Sequence, residues 1–566
     1  MDTVGVVAIV PLMQYLTGIS RNSGALGVVE RILGHPNDKV LVGAIAGTII
    51  LTFLVKDILA IFVRRWQLRM MARQEISVSS RLLEGYLVGP YAWQLAKNTG
   101  DKLWTVDHAV AIGFSGGFSA ALGAMTEVFT ITLIFGALVV VSPTVTLAAV
   151  AYLGTASFLV FRVIRLRVAA AGERSVAAAR EQSMSLLQAF GAVKEIKLRR
   201  AEKSFVTRYE TARRQGAEAG ATGALLNELP KYLLEIVFIV GVGLLSIGLE
   251  LAHTSQHGLV LLGLFLAAGT RVLPSAVRLM SSLNGIRFSR APLAHLVQEN
   301  RMHDAARLEN GSSVVTQRIP HGDLVCRDVS FAYESRPSHL VLRDVELTIQ
   351  QGRTFAVVGS SGAGKSTLVD CLLGLHHPAG EIMAGGISIF DNLPGWQQQL
   401  AVVPQEVYLL DDSLTRNIAF TDEVDDDRMQ EVVERAQLSD LVESLPDGLH
   451  TEVGERGARL SGGQRQRIGI ARALYRRPKY LFLDEATSAL DNETERRLAE
   501  TIAGLGGSMT IVIVAHRLST VRHSDQLVFM SGGRVVSIGT FDEVAAQNAE
   551  FAHLVRLGSL AGPSGA

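Results

Sequence analysis

The chain has 566 residues, with 54 basic side chains balanced by 54 acidic ones, and its mean hydropathy is positive. Balanced charge removes the case for a nucleic-acid partner, and the hydropathy fits a protein partly within a membrane. The two cysteines, Cys326 and Cys371, exclude a disulfide framework and offer no metal-ligand spacing, so both read as buried apolar residues.

The first apolar run, MDTVGVVAIVPLMQYLTGIS, begins too early for the basic leader of a signal peptide. Val4 to Leu16 supplies about 13 residues, short of the roughly 17–25 in a spanning helix. Further apolar runs fall at 40–63, 112–141, 144–166, 232–251 and 258–284. The connections at 64–110 and 167–228 are long, charged and helix-prone, whereas those at 142–143 and 252–257 are short. Arg64, Arg65, Arg69 and Arg73 in the first long connection, and Lys194, Lys197, Arg199 and Arg200 in the second, put both in the cytoplasm. The run at 40–63 must then enter from outside, so the opening stub must also cross. Topology demands six crossings with the N-terminus inside.

Turn signals at Pro90 and Asn98-Thr99-Gly100, and a break near Gly191, predict a short transverse segment within each long connection. Lys56, Asp57, Glu127, Glu235, Arg271 and Arg278 lie within apolar runs, where ionisable groups face a bundle interior, a partner charge or a watery cavity. Lys56 and Arg278 can also snorkel to the interface. Arg271 and Arg278 are seven residues apart and share one helix face, with Pro274 between them predicting a kink. An arginine-lined cavity there would suit a phosphate-bearing substrate.

After about residue 320 the texture is that of a soluble α/β domain. In TFAVVGSSGAGKSTLVDCLLGL an apolar strand at 354–358 runs into a glycine loop and then a helix. The loop, Gly359, Ser360, Ser361, Gly362, Ala363, Gly364, Lys365, Ser366 and Thr367, fits G-x-x-x-x-G-K-[ST]. Its backbone N–H groups curl round phosphates at a helix N-terminus, Lys365 reaches the β- and γ-phosphates, and Ser366 ligates Mg²⁺. Downstream, KYLFLDEATSALD reads as a buried strand ending in Asp484, placed to hold Mg²⁺, and Glu485, placed to activate the attacking water. Between them, LSGGQRQRIGIARAL offers a second helix N-terminus aimed at anions.

With these motifs in this order, residues 323–560 resemble the nucleotide-binding domain of an ABC transporter. The resemblance implies that Tyr333 stacks on adenine and that Gln405 is the Q-loop glutamine, sensing Mg²⁺. It also implies that Ser461, Gly462, Gly463 and Gln464 lie in the LSGGQ signature, Asp491 in the D-loop, and that His516 contacts the γ-phosphate. ATP and Mg²⁺ are the implied cofactors. Apolar spans followed by an ATPase follow the order of ABC exporters. That order implies an all-α six-helix transmembrane domain at 1–300, a linker at 301–322, the α/β P-loop NTPase domain at 323–560 and a flexible tail at 561–566. By the same resemblance the transverse segments near 90–102 and 190–200 are coupling helices. The opening stub becomes the outer part of a first helix that is either shortened or preceded by residues upstream.

Phosphate loop and signature meet across two subunits in this family, so the resemblance implies a homodimer in the bacterial plasma (inner) membrane, its ATPase domain in the cytoplasm. AVKEIKLRR, ELPKYLLEIV and RVLPSAVRLMSSL resemble the branch that flips lipid-linked oligosaccharides, with general lipid, peptide or multidrug export as the alternative. The apolar half argues against a soluble ABC ATPase acting on nucleic acid, and intact Glu485 and LSGGQ argue against a regulator that binds ATP without pumping.

Overall fold

The structure, a computed structural model, describes residues 38–141, 143–251, 255–311, 319–454, 457–484, 504, 507–515 and 521–560. The opening stub and Glu485, Asp491 and His516 therefore lie outside the described residues. The chain forms two compact units, one of Met1–Gly89 with Trp93–Leu308, the other of Pro90–Ala92 with Glu309–Ala566.

The first unit is helical. Helix α1 (Asp38–Val88) has 51 residues. At 1.5 Å per residue it extends about 75 Å, more than twice the roughly 30 Å of a hydrocarbon core. It stops at Gly89-Pro90, where proline lacks the amide donor and pushes its predecessor away from helical geometry. Two short helices follow, α2 (Tyr91–Ala96) and α3 (Thr99–Leu103). The run continues through π-helical stretches at Trp104–Ala109 and Gly113–Phe118 into α4 (Ser119–Val141).

Helix α5 (Pro143–Gly191) leads to the short α6 (Val193–Arg199), which Arg200 closes in the left-handed region at φ 51°. Long helices α7 (Glu202–Leu251) and α8 (Ser255–Phe288) continue through Pro230 and Pro274 respectively, and α9 is Arg290–Gly311. Among the described residues, Thr99–Gly136, Thr146–Gly191 and Glu202–Gly248 are long and apolar enough to cross a membrane.

Polar contacts fix how these helices are rotated against each other. The Tyr152 hydroxyl of α5 donates to the Val237 carbonyl of α7 at 2.8 Å. Arg278 of α8 donates to both carboxylate oxygens of Glu127 on α4, at 2.5 and 3.2 Å. On α9, Glu299 is 4% exposed and accepts from the Tyr86 hydroxyl at 2.8 Å and from Lys97 at 2.6 Å. Beside it the His303 ring meets the Tyr86 ring edge-on at 4.7 Å, and Trp104 is fully buried under the Arg180 guanidinium.

The second unit holds two sheets. Strands β1 (Leu324–Phe331), β2 (Leu342–Ile349), β4 (Ala379–Ala384) and β5 (Ile387–Ser388) form an antiparallel sheet in the order β2-β1-β4-β5. The other sheet has the order β10-β9-β3-β8-β7-β6. It contains β3 (Thr354–Gly359), β6 (Leu400–Val403), β7 (Tyr480–Asp484), β8 (Thr510–Val514) and β9 (Gln526–Ser531), all parallel, with β10 (Arg534–Gly539) antiparallel at one edge. Strands β7 and β8 read as continuous apolar runs because both their faces are covered. Cys326 and Cys371 are buried in this core, as expected from the sequence.

A candidate nucleotide site at the strand ends

Three adjacent parallel strands end together. Val357 of β3 and Asp484 of β7 flank Val514 of β8 in register, so the row Val357–Val514–Asp484 crosses the sheet near its carboxyl edge. Two residues past Val357 the phosphate loop begins at Gly359. Open parallel sheets bind ligands at this edge.

The loop leaves β3 at Gly359 and enters helix α10 (Lys365–Leu372). Gly362 and Gly364 have φ of 80° and 97°, the left-handed region in which a side chain is strained. A Cβ on Gly364 would also lie 3.0 Å from the Val341 carbonyl. Ser360, Ser361, Gly362 and Ser366 are exposed, whereas Ala363, Gly364, Lys365 and Thr367 are buried. The Lys365 ammonium donates to the Gly359 and Ser360 carbonyls at 2.9 and 3.0 Å, which folds it across the loop. This is a cradle of glycine backbone, an ammonium and a helix start, which fits a polyphosphate. Ser366, with a hydroxyl open to solvent, and the Asp484 carboxylate supply oxygen donors of the type magnesium takes.

Tyr333 follows β1, and its hydroxyl pairs with Thr367 Oγ1 at 3.0 Å, which brings the aromatic ring to the loop helix. Stacking of a base on such a ring is worth roughly tenfold in affinity, so Tyr333→Ala should raise the KM for ATP about tenfold and Tyr333→Phe should restore it. Equal KM values in steady-state ATPase assays would remove Tyr333 from the site.

Helix α11 (Gly462–Tyr475) carries the signature segment. Ser461 accepts from the Gln464 amide at 3.2 Å, and the Gln464 side chain accepts from the Ser461 amide at 2.7 Å, a reciprocal cap that fixes the helix entry. Gln405 is exposed and, with Glu406, Tyr408, Gly462 and Arg465, lines a cavity of about 550 Å³. The structure thus brings Gln405 to the signature helix and Tyr333 to the phosphate loop. Of the arginines singled out in the apolar half, Arg278 is paired with Glu127, and the Arg271 side chain lies outside the described residues.

One acidic group escaped the sequence reading. Asp370, on α10 one turn beyond Ser366, is pushed up to about 6 by burial and by the Asp484 carboxylate. Only its i+4 spacing from Ser366 could have flagged it, and that spacing is common to any helix.

Comparisons with known proteins agree with this geometry. Residues 342–488 match the family described as ABC transporter. An ATP-dependent lipid A-core flippase of Polaromonas is 43% identical over 252 residues, covering 44% of this chain and 42% of the relative. One of Paraburkholderia xenovorans is 31% identical over 390 residues, covering 67% of this chain and 63% of the relative. ABC transporter B family member 14 of Arabidopsis thaliana is 38% identical over 286 residues, covering 50% and 23%. The chain thus spans less than two thirds of the length of these curated relatives. A solved structure of a bacterial Atm1-family ABC exporter with ATP bound superposes with a TM-score of 0.78 at 22% identity, covering 100% of this chain and 97% of that one. Residues 342–488 are therefore an ATP-binding ABC transporter domain, and the whole chain, an integral membrane protein, has the fold of an ABC exporter half-transporter.

Proposed function

We propose that the chain is an ATP-driven exporter or flippase of the bacterial inner membrane, working as a homodimer on a phosphate-bearing lipid such as a lipid-linked oligosaccharide. The observation that carries this reading is the phosphate loop and Asp484 at the carboxyl edge of one parallel sheet, in a chain whose other unit has helices long and apolar enough to cross a membrane. Lys365 and the loop amides hold the β- and γ-phosphates, and Tyr333 stacks on adenine. Ser366, Asp484 and Gln405 form the oxygen set for Mg²⁺, which when bound neutralises charge on the phosphates. Glu485 takes the proton of the attacking water and His516 steadies the γ-phosphate.

One chain carries one phosphate loop and one signature segment. In the proposed dimer, Ser461, Gly462, Gly463 and Gln464 of each protomer close over the nucleotide on the other, with Asp491 beside the junction. Closure favoured by two bound nucleotides turns the membrane cavity outward, and hydrolysis resets it.

For the cargo, Arg271 and Arg278 are the proposed hydrogen-bond donors to phosphate, one heptad apart on α8. A phosphate at Arg278 has to exchange with Glu127. That pairing favours the second reading, general lipid, peptide or multidrug export, in which the arginine is structural. Reconstitution in vesicles with a lipid-linked glycan separates the two. Each charge-assisted hydrogen bond is worth about tenfold or more, so Arg271→Ala and Arg278→Ala should each slow glycan flipping by about that factor. Unchanged flipping and unchanged ATP turnover in Arg271→Ala would sink the phosphate reading.

A further inference from the structure

A ring that stacks on a base needs a fixed tilt, and the backbone at Tyr333 does not supply one. Tyr333 is half-buried and lies two residues beyond β1, outside regular structure. Its hydroxyl pairs with Thr367 Oγ1, a tether at one end about which the ring can still turn. Two other rings supply the missing contacts. Phe331 meets Tyr333 edge-on, with centroids 5.1 Å apart at 81°. His376 meets it edge-on from another chain segment, at 5.5 Å and 90°, and itself stacks on Phe331 at 4.8 Å and 29°. The three rings touch pairwise in arrangements that aromatic groups prefer, so each limits the tilt of the other two.

Two local devices place His376. Helix α10 carries the phosphate loop at its front and Thr367 in its first turn, and it ends in a Schellman motif. There the Leu375 amide donates to the Asp370 carbonyl at 2.9 Å, the Gly374 amide donates to Cys371 at 3.0 Å, and Gly374 takes φ of 71°. The chain then enters β4, which runs antiparallel to β1 with Ser330 opposite Ala379. Carrying that register three residues further brings Tyr333 opposite His376. The imidazole is 5% exposed, and burial holds it below the ordinary histidine range, so it packs as a neutral ring. Tyr91, in the short segment that belongs to this unit, covers another edge at 5.7 Å.

We infer that His376 is a positioning residue for the nucleotide base, holding the Tyr333 ring, together with Phe331, at the tilt that stacking on adenine requires. The inference rests on the proposed stacking of Tyr333 and adds what sets the angle of that ring. The ring contacts of His376 go to Phe331, Tyr333 and Tyr91 rather than to the phosphate loop. Its loss should therefore weaken the hold on the base and spare the hold on the phosphates.

The test is steady-state ATP hydrolysis by the full chain in nanodiscs, with tripolyphosphate as an inhibitor that offers phosphates and no base. His376→Leu keeps roughly the volume and removes the ring, which protects the fold. It should raise the KM for ATP about fivefold, the worth of an aromatic pair, and leave the inhibition constant of tripolyphosphate at the wild-type value. His376→Phe restores a ring and should return the KM to that of wild type. A residue that acts through Tyr333 has nothing to hold once that ring is gone. The double variant Tyr333→Ala/His376→Leu should therefore show the same rise of about tenfold as Tyr333→Ala alone. Equal weakening of ATP and tripolyphosphate, no rescue by phenylalanine, or a double variant near fiftyfold would each overturn the inference. If Tyr333→Ala raises the KM and His376→Leu does not, this inference falls alone. If Tyr333→Ala leaves the KM unchanged, the stacking reading falls and takes the inference with it.

Discussion

Glu485→Gln should still bind ATP but hydrolyse it about 10²–10⁴-fold more slowly than wild type, the range expected when a general base is removed. Strand β7 is buried along Tyr480–Leu483 and in register with β8, so the position of Asp484 is fixed by the sheet. Glu485 is the next residue along the chain. The glutamine is isosteric, so nucleotide affinity and fold are kept while the proton acceptor is lost. Trapped nucleotide after gel filtration and phosphate release over time read the two halves of the prediction. A variant with the wild-type rate would end the assignment of Glu485 and leave the remaining carboxylates, Asp484 and Asp370, as the groups to test.

The second large effect belongs to Glu299. Its carboxylate is buried among Tyr86, Lys97 and His303, and Lys97 keeps 24% of its side chain in contact with water. Breaking a buried pair by removing one partner costs about 3–5 kcal/mol, and the partial access of Lys97 to water puts Glu299→Ala near the lower end. A lowered denaturation midpoint in detergent should report it, and an unchanged midpoint would show that the contacts carry little energy. Burial pushes the Glu299 carboxyl up, but hydrogen bonds from Lys97 and Tyr86 and the charge of Lys97 outweigh it, leaving the group below the ordinary carboxylate range. A depressed folded pKa gives stability that is present above the unfolded value and lost as pH falls through the folded one. The gap between wild type and variant should therefore be constant from neutral pH down to about 5 and close only in stronger acid.

What the sequence disclosed and what it hid follow from sequence distance. The phosphate loop, the strand before it and the helix after it are contiguous, so TFAVVGSSGAGKST yields β3, the loop and α10 with one residue of difference at the strand end. The helix breaks at Gly89-Pro90 and Gly191 were legible because proline and glycine act locally. Helix rotation is different. Periodicity tells which residues share a face but not which other helix that face meets. Glu127 and Arg278 were each noticed as charges in apolar runs, yet their pairing spans 151 residues and needed the fold. Glu299 lies 202 residues from Lys97 and drew no attention in LVQENRMHD, where it looks like one charge among several. His376 was equally plain in LLGLHHPAG, because the rings it meets come from other segments of the chain.

The two cysteines have a practical consequence. Cys326 on β1 and Cys371 on α10 are 1% and 0% exposed, and burial pushes both thiols up to about 12. At pH 7 only about one molecule in 10⁵ would carry either as the nucleophilic thiolate. Maleimide dyes and spin labels should pass over the native protein, which makes the wild-type chain its own unreactive background. A single cysteine introduced at an exposed site such as Lys194 would then be the one addressable thiol of the chain, so a probe could be placed there without first stripping the protein of its natural sulfur.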